Sequence, residues 1–252
     1  MDWQGTGPIA WAAAAVFLAG LLRGYTGFGF AIAGVPLLSL VIPPAEAVPL
    51  VLALTVSVGV VELFRGTMRR EAHWSSLLPM AAGAILTTPL GVLLLSALPA
   101  AWGRVGIALT VLGAALLMLR GGSLTRAPGP LASAAVGTVS GLCNGFAAMP
   151  GPPVIALYLA SPIPAATARA TMMMFFTFTA VAGLVTGLAA LPGAVRALWL
   201  VPVTLPLMLA GTTLGARGFA RGTAGAYRRI ALACFAALSL LTALRAAWSL
   251  LA

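Results

Sequence analysis

One arginine interrupts the first long apolar stretch of the chain, and a glycine-rich segment follows it directly. In "LLRGYTGFGF" this residue is Arg23. A guanidinium keeps its charge and offers a planar fork of N–H donors that matches an oxyanion. An arginine inside a membrane span costs about 2.5–3.5 kcal/mol on insertion scales, and by default it marks a functional position. Arg23 is therefore interpreted as a ligand of a small anion; snorkelling to a headgroup or pairing with a backbone carbonyl are the alternatives.

A second glycine- and proline-rich segment, "SGLCNGFAAMPGPP" at 140–153, interrupts a later apolar stretch. Broken helices expose N–H groups at the positive end of the helix dipole, which suits an anion. Two such segments in corresponding positions are the best sequence indication of a transporter's binding site. The two segments are therefore predicted to meet near the membrane midplane. Close helix packing through small residues is the competing interpretation.

The candidate substrate-binding residues come from these two segments and from a repeated threonine pair in "TTPLG" and "GTTLG". A threonine hydroxyl can instead bond a carbonyl of its own helix, whereas an asparagine amide at a helix break is harder to satisfy locally. The predicted set is Arg23, Gly24, Tyr25, Thr26, Gly27, Gly29, Thr88, Asn144, Gly145, Gly151, Pro152 and Thr212. The run from Met172 to Phe178 is interpreted as a lipid- or core-facing wall.

Residues for catalysis or metal binding are scarce. His73 is the one histidine, so neither a zinc cluster nor a histidine-based triad can be built. Cys143 and Cys234 lie in apolar segments with no nearby base, which favours buried small hydrophobic residues. We therefore predict no catalytic residue, no metal and no cofactor, and the chain is not expected to be an enzyme. Glu46 and Arg169 are assigned interfacial, structural roles.

The composition identifies the class of protein. Of the 252 residues 61% are hydrophobic and only 7% are charged, against about 25% charged in a soluble domain. Apolar stretches of the length that crosses a bilayer recur along the chain without the alternation of a β-barrel. The fold class is therefore predicted to be all-α and polytopic in the membrane. The net charge of +10 comes from dispersed arginines without any lysine, which is typical of membrane loops and not of nucleic-acid binding.

The chain also repeats itself. "GLLRGYTGFGFAIAGVPLL" aligns without a gap on "GTVSGLCNGFAAMPGPPVI", and "LTTPLG" aligns on "AGTTLG" further along. We predict a first repeat at 1–120, a linker at 121–130 and a second repeat at 131–252. Each repeat has about five hydrophobic segments, giving 8–10 membrane segments, and its first two are short and broken, so that they cross fully or form re-entrant hairpins.

The arginine-rich loops predict the orientation. They fall at 65–73, 120–130 and 217–229, and the positive-inside rule places all three in the cytoplasm and both termini outside. The rich loop follows the third segment in the first repeat and the fourth segment in the second. This shift by one connection indicates that the two repeats are inverted, as in many secondary transporters.

Two motifs carry a resemblance to a known family. "GYTGFGFAIAGVPLLSLVIPPAEAV" and "GLCNGFAAMPGPPVIALYLA" are similar to the first and second signatures of the sulfite exporter TauE/SafE family, also called the sulfonate permease-type family. The resemblance implies a multi-pass protein of the bacterial inner membrane that moves sulfur-containing anions such as sulfite and organosulfonates. "GFGF" and "AMPGPP" are variants of the family's usual glycine patterns.

The predicted function is a secondary carrier or facilitator that exports a small sulfur-containing anion by alternating access. Its substrate would bind between the two broken segments, and an inside-negative membrane potential would drive the efflux. An anion channel, or a carrier for another small carboxylate or oxyanion, is the alternative, and an intramembrane enzyme is less favoured. The expected partners are the anion and the lipid bilayer; the oligomeric state stays open, a homo-oligomer included.

Overall fold

The computed structural model describes residues 6–26, 29–64, 67–120, 123–191 and 193–220, and this part of the chain is helical throughout apart from its connections. One short 3₁₀ turn, Leu198–Leu200, precedes the last helix. In chain order the helices are α1 (Thr6–Thr26), α2 (Phe30–Ser39), α3 (Pro44–Phe64), α4 (Thr67–Glu71), α5 (Trp74–Ala97), α6 (Ala100–Arg120), α7 (Pro130–Ala147), α8 (Gly151–Ala160), α9 (Ala165–Ala190), α10 (Ala194–Ala197) and α11 (Val201–Ala220).

The lengths of these helices confirm a polytopic helical membrane protein. Within the described residues, 5 helical stretches are long and apolar enough to cross a membrane: Thr6–Tyr25, Pro44–Val61, Trp74–Ala97, Ala166–Ala190 and Ala194–Gly215. Their outer faces carry large exposed apolar side chains, such as Leu86 at 76% and Trp199 at 79% exposure. Water would penalise so much exposed apolar surface, whereas lipid does not.

The first helical hairpin is formed by α1 and α2. The indole Nε1 of Trp11 donates to the carbonyl oxygen of Leu37 at 2.8 Å, so the end of α2 lies beside the early part of α1. With 10 residues against the 21 of α1, α2 turns back along only part of its partner. The hairpin therefore enters and leaves at one end of the bundle, which we call end 1.

The second hairpin, α7 and α8, enters from the opposite end. Ala148 adopts a left-handed conformation at φ 53° and donates its N–H to the carbonyl of Asn144 at 2.7 Å, which stops α7. The chain then reverses into α8, whose last residue, Ala160, accepts from the N–H of Leu124 at 2.5 Å, just before α7. We call this end of the bundle end 2.

Longer helices hold the two hairpins in place. Along α5, Met80 and Thr88 lie beside Gly137 and Gly145 of α7 in the same order, so α5 and α7 run parallel. In the same way α11 runs parallel to α1. A Cβ on Gly145 would lie 2.7 Å from the backbone nitrogen of Val92, which shows how closely the helices approach through glycine.

Between the hairpins, α3 and α9 run antiparallel, with Gly59 beside Thr177 and Leu52 beside Gly183. Most of the apolar core surrounds α1, α2 and α3, and a smaller cluster joins α5, α8 and α9. At end 1, Glu46 of α3 forms an ion pair with Arg196 of α10 at 3.5 Å, in line with the structural role expected for Glu46.

A cluster of hydrogen-bonded polar side chains lies at end 2. The Oγ of Ser76 lies 2.6 Å from the Oη of Tyr158 and 2.8 Å from Nδ1 of His73. The backbone N–H of His73 donates to Oγ1 of Thr171 at 2.9 Å. Ser76 and Thr171 are fully buried and Tyr158 is nearly so. The cluster therefore connects the start of α5 to α8 and α9.

Candidate functional site

The tips of the two hairpins line one cavity inside the bundle. Arg23 reaches it from the last turn of α1, Gly29 and Phe30 from the start of α2, and Asn144 and Gly151 from the end of α7 and the start of α8. The space open to the centre of a water molecule is about 60 Å³, more room than a single water needs. The cavity therefore suits a small solute.

The start of α2 presents backbone donors to this cavity. Gly29 precedes the helix with φ 96°, a left-handed conformation that favours glycine, and as a glycine it has no side chain with which to cap the helix. The first N–H groups of a helix have no partner within it. Those of Phe30, Ala31 and Ile32 belong to residues that line the cavity, and the Ala33 N–H is the first to bond back, to the Gly29 carbonyl at 3.2 Å. The helix thus directs its positive end at the cavity.

The start of α8 is a weaker donor. Pro152 and Pro153 occupy its first turn, and proline has no N–H to offer. The sequence predicts backbone N–H donors at both helix breaks, but the prolines that break the second segment remove two of its donors. The anion-binding potential therefore concentrates on the side of α2, where Arg23 also lies.

The side-chain amide of Asn144 forms hydrogen bonds with two other helices. Its Nδ2 donates to the Thr179 carbonyl of α9 at 2.7 Å and to Oγ1 of Thr88 on α5 at 3.3 Å. Thr88 in turn donates its hydroxyl proton to the Ala84 carbonyl at 2.7 Å. Gly183 leaves room for this amide, since a Cβ there would lie 2.8 Å from Nδ2. Thr88 thus positions Asn144 and does not itself line the cavity.

The third segments of both halves complete the walls. Thr55 of α3 and Thr177 of α9 line the cavity, and their hydroxyls donate to the carbonyls of Val51 and Met173 at 2.8 and 2.9 Å. Apolar side chains fill the rest of the wall: Phe30, Ile32, Leu52, Ile155, Met173 and Phe176.

None of the α3 and α9 residues was in the predicted set, because no helix break or charge distinguishes them in the sequence. Met173 and Phe176 belong to the run interpreted as a lipid- or core-facing wall. Phe175, between them, is fully buried in the core, whereas Met173 and Phe176 face the cavity. One face of this run therefore lines the site.

Four residues of the predicted set line the cavity, namely Arg23, Gly29, Asn144 and Gly151. Among the others, Gly24 and Tyr25 lie half-buried in the last turn of α1, and Pro152 is buried in α8. Gly145 packs against α5, and the hydroxyl of Thr212 on α11 is buried without a hydrogen-bond partner among the described residues. Gly27 and the side chain of Thr26 lie outside the part of the chain that the structure describes.

Comparison with known proteins gives a match over most of the chain. The family model described as sulfite exporter TauE/SafE matches residues 12–243, a stretch that contains all of the second hairpin, the first hairpin from residue 12 onward and every cavity-lining residue. The chain belongs to this family. TauE/SafE proteins are membrane transporters and not enzymes. Searches of curated proteins and of solved structures returned no match.

Proposed function

We propose that this TauE/SafE protein is a carrier that exports a small sulfur-containing monoanion, such as hydrogensulfite or an organosulfonate, and binds it between the hairpin tips. The observation that carries the proposal is the presence of Arg23 and the start of α2 at one cavity. Both supply positive potential, and the apolar surroundings strengthen it by lowering the local dielectric. Family membership supports a sulfur-containing substrate.

The charge and size of the cavity favour a small monoanion. Arg23 is the one charged residue among the described residues that line it, so this lining carries one formal positive charge and favours an anion of low charge. A guanidinium binds an oxyanion through two parallel N–H···O bonds, and the N–H groups of α2 can accept a further oxygen. A space of about 60 Å³ favours a small solute. A small carboxylate would meet the same charge requirement and is the runner-up substrate.

The arrangement of the hairpins supports alternating access. We infer that α1–α2 and α7–α8 are re-entrant hairpins of two inverted repeats. In that repeat α1 corresponds to α7 and α11 to α5, so the parallel pairs α1–α11 and α5–α7 are equivalent. A site between two inverted halves can open to either side when one half rocks against the other.

The distribution of arginine supports a cytoplasmic end 2 in a bacterial inner membrane. The exposed Arg69, Arg70 and Arg126 precede α5 and α7, which begin at end 2, and Arg217 lies near the end of α11 at that same end. At end 1, Arg196 is paired with Glu46. By the positive-inside rule, end 2 then faces the cytoplasm.

Replacing Arg23 tests the proposal. Arg23→Gln removes the charge and keeps a polar side chain, so the dissociation constant for sulfite should rise by about 10–100-fold, the loss expected for hydrogen bonds to a charged group. The measurement is titration calorimetry of the purified protein with sulfite, ethanesulfonate and acetate.

Arg217→Gln is the matched control, because Arg217 is exposed and does not line the cavity. It should bind all three anions like the wild type. Equal affinity of the wild type and Arg23→Gln for every anion would remove Arg23 from the site and contradict the proposal.

A further inference from the structure

The cavity has an apolar wall besides its positively charged one. Arg23 and the start of α2 supply the positive potential, whereas α8 and α9 contribute the apolar side chains of Ile155, Met173 and Phe176. A sulfonate carries its charge on the oxygens and has one carbon substituent besides them. When the oxygens bind at Arg23 and α2, the apolar wall offers this substituent surroundings in which burial is favourable.

Gly151, the first residue of α8, lines the cavity beside this wall, and its backbone does not require glycine. Among the described glycines, a left-handed φ occurs at Gly29 and Gly193, so Gly151 has a φ that other residues also adopt. The proline that follows does not require glycine either. Pro152 carries a Cβ and is itself followed by Pro153 within the same helix.

Packing does not require glycine at this position. A Cβ on Gly151 would lie 3.3 Å from Cδ1 of Ile155 and 3.6 Å from Cζ of Phe176, and its three nearest atoms all belong to these two side chains. The end of an isoleucine side chain can move by a few tenths of an ångström. A Cβ on Gly137 or Gly145 would instead press against the backbone of α5. The space beside Gly151 is therefore bordered by cavity-lining side chains and not by another backbone.

We propose that Gly151 is a specificity-determining residue: because it has no side chain, it leaves room between Ile155 and Phe176 for a short hydrocarbon tail of the bound anion. The charged group lies against Arg23 and α2, and the tail fills the space beside Gly151. The site therefore prefers a short alkylsulfonate to an anion without a tail. This inference rests on the proposed function and names the residue that sets the tail size at the same site.

Methanesulfonate and ethanesulfonate test the inference, because they differ by a single CH₂ group. In titration calorimetry of the purified wild-type protein, ethanesulfonate should bind about fourfold more tightly, the effect of burying one CH₂ group. In Gly151→Ala the added methyl group occupies this space, so the ratio of the two affinities should fall to about one.

Gly187→Ala is the matched control. Gly187 is buried on α9, does not line the cavity, and an added Cβ would lie 3.6 Å from Cδ1 of Leu191 and 3.6 Å from Cγ of Pro49. The substitution thus adds the same methyl group in contact with apolar side chains, but away from the proposed tail site. This variant should keep the wild-type ratio of affinities.

Ile155→Val tests the same space in the opposite direction. It removes Cδ1, the atom nearest to the added Cβ of Gly151→Ala, and so enlarges the space by one methyl group. The affinity for 1-propanesulfonate relative to ethanesulfonate should rise by about fourfold over the wild-type ratio. This conservative variant decides the role of the space if Gly151→Ala fails to fold.

Three results would overturn the inference and leave the proposed function standing: equal affinity of the wild type for methanesulfonate and ethanesulfonate, a wild-type ratio in folded Gly151→Ala, or an unchanged ratio in Ile155→Val. Failure of the wild type to bind sulfite or any of the sulfonates would overturn the proposed function, and the inference with it.

Discussion

At the scale of single residues, most of the threonine hydroxyls in this apolar bundle are satisfied by the helix that carries them. Thr88 illustrates this. It was a candidate ligand, yet its hydroxyl donates to the carbonyl four residues earlier and accepts a hydrogen bond from Nδ2 of Asn144. The same i−4 bond is made by Thr55, Thr110, Thr138, Thr171, Thr177, Thr179, Thr204 and Thr213. A threonine in this protein is therefore weak evidence of a site, whereas an asparagine at a helix end is stronger evidence.

The polar cluster at end 2 offers a test at this scale. Tyr158→Phe removes the hydroxyl that lies 2.6 Å from Ser76 and should lower the free energy of unfolding by about 0.6–1.5 kcal/mol. Thermal unfolding of the two proteins in detergent measures the difference. Thr213→Val is the control, because that hydroxyl is exposed and bonds only its own helix. If Tyr158→Phe unfolds at the wild-type temperature, the cluster does not stabilise the contact of α5 with α8.

At the scale of helices, the glycines of the two broken segments fall into two groups. Gly137, Gly141 and Gly145 recur every four residues and form the face of α7 that contacts α5. Gly29 and Gly151 instead lie at helix starts and line the cavity. Close packing therefore accounts for the first group, whereas the second group lines the cavity and keeps the binding-site interpretation as a prediction.

The packing group leads to a second test. Gly145→Ala would bring a methyl group against the backbone of Thr88 and Val92, so we expect a loss of about 1–3 kcal/mol of stability. Gly113→Ala on α6 is the matched control: nothing lies within 4 Å of its added Cβ, and it should stabilise the protein by about 0.4–1 kcal/mol. Apparent melting temperatures in detergent should move in opposite directions, and a shared direction would contradict the packing assignment.

At the scale of the whole molecule, the absence of acidic residues from the described walls of the cavity bears on what drives transport. Glu46 is paired with Arg196 at end 1 and does not line the cavity. A carboxylate relay for protons or sodium has no member there. Movement of a monoanion through such a site carries net charge, and an inside-negative potential favours its exit by about 2.3 kcal/mol per 100 mV.

Flux measurements in proteoliposomes test this mechanism. With about 100 mV imposed by a potassium gradient and valinomycin, ethanesulfonate should be distributed toward the positive side by about fiftyfold at equilibrium. This ratio does not depend on the orientation of the protein in the vesicles. Liposomes that contain Arg23→Gln control for leakage. Flux that ignores the potential and follows only a pH gradient would contradict a potential-driven carrier.

The sequence by itself determined the class of protein and indicated the two broken segments whose tips line the cavity. Hydropathy and charge content are local properties, so a helical membrane protein could be predicted from them, and the cavity does lie between the two broken segments. Arg23, Gly29, Asn144 and Gly151 were predictable for the same reason, because each one interrupts or flanks a helix in its own segment.

Only the tertiary structure decided which residues share the cavity and which support it. The contributions of Thr55, Met173 and Thr177 depend on how α3 and α9 are rotated about their axes. Helix rotation is set by packing against neighbours from distant parts of the chain, and an all-apolar helix carries no polar stripe that would reveal it. The orientation of the Asn144 amide likewise follows from contacts with two other helices, which its own segment does not contain.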